Sequence, residues 1–339
     1  MQNRRFPSVL VGVVLLVFAA FAMPAFASVE DAQREGKVVW YTVLATETAE
    51  EIAADFESRY GIEVEVVRDG AAPIFERYNR ETAAGIANAD VLESTNPGSF
   101  VYWQREGMLA PYDTPADAWI PDGMKHSGYW YTWRVSPIVT AYNTQLVSLA
   151  DAPKSYRAFL YPQWRGQIVN GHPDYSGSVL TAIFALVQEL GWEFFEQLAQ
   201  QDVLLGASIH DGPAALLAGE RSLSLMAEEY YAYLLRRDGA PIDVTYPAEG
   251  VPLVTAVVAI AHNAPHPNAA RLFLDHLFSL ETQQMFVDKF DLRVLHPGVT
   301  PQECLPRLAD LKVIVPDPVA MMEHADEVRD RFVEIMGGR

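Results

Sequence analysis

Apolar positions along this chain follow two periods that keep exchanging places. Residues 37–42, Lys-Val-Val-Trp-Tyr-Thr, form the short β-rich run expected of a buried strand. A polar loop follows, and Thr48-Ala49-Glu50-Glu51 has the form of a capping box. Ile52, Ala53, Phe56 and Tyr60 then recur at the 3–4 spacing of a helix until Gly61 stops it. Residues 62–67 alternate apolar and acidic, which predicts a second strand with one wet face. The stretch therefore reads β-α-β, the unit of a parallel sheet with crossover helices.

The alternation continues to the end. Helices are predicted over 75–84, 99–106, 178–190, 213–218, 228–237, 268–278, 281–290 and 319–335, and strands over 89–92, 138–142, 222–226 and 254–261. No internal repeat or low-complexity tract interrupts them. Two α/β lobes fit this length better than one very large sheet. The tryptophan-rich segment at 129–142 and Tyr246-Pro247-Ala248-Glu249-Gly250 are the expected crossings, since both place Pro or Gly among extended residues. That division gives one discontinuous lobe (28–138 plus 251–312), a second lobe (139–250) and a C-terminal helical segment (313–339). Each lobe is expected to be a mainly parallel sheet flanked by helices. A ligand would lie in the cleft between lobes, at the carboxyl ends of strands.

Composition changes this picture at three points. Arg4 and Arg5, the apolar run 9–22 and Ala25-Phe26-Ala27 read as an export signal cleaved after Ala27, which implies a periplasmic product. The run falls short of the roughly 20 residues a membrane span needs, so an uncleaved anchor is the lesser alternative. Cleavage would leave 339 − 27 = 312 residues and move the formal charge from −19 to −21, because both arginines go. So acidic a surface repels nucleic acid and anionic lipid. Cys304 is the only cysteine, which excludes an intramolecular disulfide.

The candidate chemistry is sparse. No G-x-S-x-G, H-E-x-x-H, P-loop or dinucleotide fingerprint occurs, so neither an enzyme nor an enzyme cofactor is expected. An exported hydrolase is the remote alternative. Tyr230 and Tyr231 fall in the first turn of a helix directly after a strand, where one can pack inward or both can face a ligand. Glu228 and Glu229 at that helix's start, with Arg236 and Arg237 at its end, suit the macrodipole without any ligand. His210-Asp211 can reach a solute, or Asp211 can cap the following helix. His262 and His266 have i,i+4 spacing, but Pro265 interrupts any helix between them. Trp130, Trp133 and Arg134 either line the cleft or pack the crossing, and an arginine there can clamp a carboxylate or phosphate.

Several short runs, in order, carry a family resemblance. They include Val38-Val39-Trp40-Tyr41, Ala54-Asp55-Phe56-Glu57-Ser58-Arg59-Tyr60-Gly61, Ala89-Asp90-Val91, Gly107-Met108-Leu109-Ala110-Pro111-Tyr112, Pro162-Gln163-Trp164-Arg165-Gly166, Tyr230-Tyr231, and Tyr246 to Gly250. Together they resemble the periplasmic ferric-ion-binding family of ABC-importer solute-binding proteins, which have the type II periplasmic binding fold. The resemblance implies a monomeric carrier that delivers its ligand to an inner-membrane permease. It also implies Fe3+ as transported ligand, held by Tyr175, Tyr230 and Tyr231, with a synergistic anion completing the shell. Ser176 and Ser178 match the place where relatives bind that anion at a helix N-terminus. The sequence departs from the pattern twice. Its first loop, Val43-Leu44-Ala45-Thr46-Glu47-Thr48, has no His or Tyr, and Ser94-Thr95-Asn96 stands where some members carry a carboxylate, with Glu93 displaced. The alternative is therefore a phosphorylated or carboxylated organic solute held by Thr46, Thr95, Ser176, Ser178 and His210.

Overall fold

A single strand of fourteen buried residues joins the two halves of the molecule. The computed structural model describes residues 28–337. The expected export signal and its cleavage point lie outside the described residues. The first half runs α1 (Val29–Glu35), β1 (Lys37–Thr42), α2 (Thr46–Tyr60), β2 (Glu63–Arg68), α3 (Ala71–Ala83), β3 (Val91–Ser94), α4 (Pro97–Arg105) and β4 (Lys125–His126). The long strand β5 (Trp130–Asn143) follows. The second half contains β6 (Ile168–Asn170), α5 (Gly177–Leu190), α6 (Trp192–Leu198), β7 (Leu204–Leu205), α7 (Asp211–Leu217), β8 (Leu223–Glu228), α8 (Glu229–Arg237) and β9 (Ile242–Thr245). The chain returns through β10 (Val251–Ile260), α9 (Pro267–Phe278), α10 (Leu280–Phe290), β11 (Arg293–Val294) and β12 (Val313–Ile314), and closes with α11 (Pro318–Met336).

Strands β2, β1 and β3 pair in parallel, as the opening β-α-β pattern predicts. Strand β10 joins β3 antiparallel and β5 joins β10 antiparallel. In the second half β7, β6 and β8 are parallel, and the far end of β5 runs antiparallel to β8 and β9. Strand β5 thus belongs to both sheets. Its residues up to Pro137 pair with β10, and those from Ile138 pair with β8. The sequence predicted only 138–142 as strand, and a proline such as Pro137 is unusual inside a central one. Pro137 instead sits at the handover between partners, where a missing N–H breaks least.

Each half has apolar packing on both sheet faces, around Trp40, Phe56 and Phe273 with Tyr41, Tyr78 and Trp103 in the first. Ile183, Phe194 and Phe195 centre the second. Local signals set the helix ends. Asn96 Oδ1 accepts from Gly98 N ahead of α4, and Ser279 Oγ accepts from Thr282 N ahead of α10. The capping box expected at Thr48 is not used. The N-cap lies three residues earlier, at Ala45, and Thr48 is buried within α2. Helix α11 packs on α4 of the first half and on α5 and α6 of the second.

Candidate functional site

The carboxyl ends of β1, β2, β3 and β8 converge on a cavity of about 30 Å³ open to water centres, against the ~10–15 Å³ that one water needs on that measure. Arg68, Thr95, Arg134 and Glu228 line it from strand ends and middles, Tyr230 from the first turn of α8, and Tyr175, Ser176, Gly177 and Ser178 from the start of α5. Ser176 is the N-cap of that helix, its Oγ accepting from Val179 N at 3.4 Å. The first turn of α5 thus brings the positive end of a fourteen-residue helix dipole to the cavity.

Arg134 is the central charge. It is 1% exposed, and its Nη2 donates to Glu93 Oε1 at 3.4 Å. Its Nε and Nη1 are buried and have no partner within the protein. Buried donors of this kind are rare and call for an acceptor. Glu93, itself fully buried, accepts from Thr42 Oγ1 at 2.7 Å and Val43 N at 2.9 Å, so it holds both the arginine and the first loop. A second cation, Arg68, is tied by its Nε to the Leu44 carbonyl and by its Nη1 to Tyr175 Oη at 3.0 Å.

A polar pair also lines the cavity. Glu228 ends β8 and accepts from Ser178 Oγ at 2.8 Å, while His210 Nε2 lies 3.2 Å from its other oxygen. Burial pushes the Glu228 carboxyl up, but the contacts with His210, the Arg134 charge and the Ser178 hydroxyl outweigh it and bring the pKa to about 2. Glu228 is therefore a fixed anion. Tyr230 is 3% exposed, and burial together with the Glu228 charge raises its phenol well above the ordinary value.

Of the eight residues singled out from sequence, Thr95, Tyr175, Ser176, Ser178, His210 and Tyr230 come together here. Two do not. Thr46 is exposed at the start of α2, while Val43 of the same loop lines the cavity. Tyr231 turns aside and packs its ring 4.5 Å from that of His210. Adjacent helical positions point about 100° apart, and here Tyr230 faces inward while its neighbour points elsewhere. Glu229 is fully buried and bound by Arg293 and by Tyr246 Oη at 2.6 Å, away from the cavity. Asp211 opens α7 and accepts from Ser208 N at 3.0 Å, so it braces the His210 loop instead of capping the helix as its N-cap residue. His266 is tied to Asp90 at 2.8 Å and does not pair with His262. Among the described residues no three His, Cys, Asp or Glu side chains gather as a metal site.

Arg68 was not singled out from sequence. The available signal was a cation at the carboxyl end of the alternating run Glu63-Val64-Glu65-Val66-Val67-Arg68. Glu228 was given only a helix-dipole role, because its Ser178 and His210 partners lie 50 and 18 residues away in the chain.

The family model described as bacterial extracellular solute-binding protein matches residues 87–313. A probable ABC transporter periplasmic-binding protein of Sinorhizobium fredii is 22% identical over 277 residues, covering 76% of this chain and 74% of that protein. Iron uptake protein A2 of Synechocystis is 25% identical over 263 residues, covering 70% and 73%. Among solved structures, the periplasmic binding protein AfuA of Actinobacillus pleuropneumoniae with fructose-6-phosphate bound matches with TM-score 0.80 at 20% identity, over 90% of this chain and 99% of that one. Iron-bound HitA of Pseudomonas aeruginosa matches with TM-score 0.77 at 21% identity, over 88% and 99%. The shared architecture is the two-lobed type II periplasmic binding fold.

Proposed function

The chain belongs to the bacterial extracellular solute-binding proteins, which bind solutes and are not enzymes, and on that premise we propose that it is the periplasmic receptor of an ABC importer for a small phosphorylated organic solute. Exported through the leader at 1–27, it would act as a monomer that hands its solute to an inner-membrane permease. Its lobes would be 28–138 with 251–312, and 139–250, with 313–339 as the C-terminal segment.

One observation carries the choice of solute. Arg134 lines the cavity and carries two buried donors unpartnered within the protein, and the same cavity receives the start of α5 and a second guanidinium, Arg68. A planar guanidinium with free donors suits phosphate or carboxylate oxygens. A helix N-terminus adds amide donors and a favourable dipole for the same group. The Glu228–His210 pair offers an acceptor and a ring nitrogen to hydroxyls of the solute. A trivalent cation would face both arginines. Against that stand Tyr175 and Tyr230, whose phenol oxygens favour ferric iron, and the relatives named for iron; this supports Fe3+ as the second reading.

Calorimetric titration with fructose 6-phosphate and, separately, ferric citrate with visible absorbance tests both. We expect saturable binding of the sugar phosphate, reduced at least a hundredfold in Arg134→Met, consistent with the ~1.5–3 kcal/mol of a hydrogen bond to a charged group acting at two donors. A saturable tyrosinate-to-iron band in the wild type, lost in Tyr230→Phe, with no heat from the sugar phosphate, would replace this reading by the iron one.

A further inference from the structure

Beside the cavity the two halves meet directly, and the meeting surface is built for close approach. A Cβ on Gly70, at the start of α3, would stand 2.5 Å from the Tyr175 carbonyl oxygen and 2.7 and 2.8 Å from two of its ring carbons. From the other side, a Cβ on Gly177 would stand 2.7 Å from the Ala71 Cβ and 2.9 Å from Thr95 Oγ1. Gly70 has φ −70°, which any residue adopts, so the requirement there is for space and not for an unusual backbone. Hydrogen bonds stitch the same line. Ala71 N donates to the Tyr175 carbonyl at 3.0 Å, Arg68 Nη1 to Tyr175 Oη at 3.0 Å, and Thr181 Oγ1 to the Thr95 carbonyl at 2.9 Å.

Every one of these contacts crosses between halves. Arg68, Gly70, Ala71 and Thr95 follow strands of the β2-β1-β3 sheet. Tyr175, Gly177 and Thr181 belong to α5 and its approach, and α5 packs into the second core through Val179, Ile183 and Leu186. Separating the halves would break all three hydrogen bonds and expose the Tyr175 ring.

We propose that this seam is a latch that closes the halves on each other in the solute-free protein, with Tyr175 as its positioning residue. A solute can shift an open–closed equilibrium only by its differential affinity for the two forms. Its apparent affinity is reduced by the fraction of protein that is binding-competent. The seam supplies closing free energy from the protein itself, and the solute has correspondingly less to contribute. The Arg68–Tyr175 bond also holds one cation of the cavity in place before the solute arrives. The inference needs only the two-lobed fold and stands apart from the identity of the solute, so its failure and that of the anion reading are separable.

The test uses no ligand. In a Cys304→Ser background, nitroxide labels on Arg80→Cys of α3 and Glu193→Cys of α6, both exposed positions, report the distance between halves by pulsed electron paramagnetic resonance. The solute-free protein with native seam residues should show a short-distance population. Gly70→Ala should shift most of it to longer distances, and Tyr175→Ala, which truncates a half-buried side chain, should do the same if the glycine variant fails to fold. Identical distributions for the native seam and whichever variant folds would overturn the latch, as would a single long distance in the native seam.

Discussion

At the scale of single residues, the buried titratable groups divide into those that face the cavity and those that only pack. His276 is of the second kind. It is 2% exposed on α9, its ring 5.2 Å from Phe56 and 5.7 Å from Tyr60, and Thr282 Oγ1 lies 3.3 Å from Nδ1. Burial lowers its pKa to about 4, outweighing the nearby Asp55 carboxylate, which raises it. Its ordinary value is 6.5, so between pH 6.5 and about 4 the unfolded chain binds a proton that the folded one refuses. The neutral ring's contribution is therefore complete above pH 6.5 and is lost progressively as pH falls toward 4, up to about 3 kcal/mol at 1.36 kcal/mol per pKa unit. Denaturant melts of wild type and His276→Gln from pH 7 to pH 4.5 should show the wild type losing stability faster. Parallel pH curves would remove His276 from the account. Arg134 is of the first kind: it lines the cavity, and its pairing with Glu93 leaves two buried donors without a partner in the protein.

At the scale of elements, the C-terminal helix shows what holds the halves' outer surfaces together. Phe332 of α11 is fully buried and packs edge-on against Phe195 of α6 at 5.6 Å, while Met321 and Met322 lie over Gly98 of α4 in the other half. Phe332→Ala should cost about 3–5 kcal/mol, the usual range for emptying a buried phenylalanine site. Equilibrium unfolding in guanidinium measures it directly, and a loss below about 1 kcal/mol would mean that α11 is peripheral to the fold. The helix itself was legible from its amphipathic spacing, as were the β-α-β opening and most later elements, because 3.6- and 2-residue periods survive in a buried-and-exposed pattern. Strand β5 was legible only over 138–142, since it is buried along its whole length, so no alternation marks it, and Pro137 interrupts its β-prone run. The site followed the same division. Local signals such as Ser176 before a helix or tyrosines after a strand could be read, whereas Arg68, Glu228 and the aside-turned Tyr231 acquire their roles from partners far along the chain.

At the scale of the whole molecule, two halves with separate apolar cores would ordinarily be expected to unfold as two units. The strand pairing argues otherwise. Residues 130–137 of β5 lie in one sheet and 138–143 in the other, and β10 runs beside the first part while its own start pairs with β12. Neither half can lose its sheet without stripping a central strand shared with the other. Arg293 of β11 adds a tie to the buried Glu229 at the start of α8, which leaves an uncompensated charge if the halves part at that point. Such coupling requires one cooperative transition. Scanning calorimetry of the solute-free protein should give a single peak with calorimetric and van't Hoff enthalpies equal. Two resolved peaks would mean that the crossing strands act as a flexible connection, and closure would then be a docking of independent domains rather than a bend within one continuous β structure.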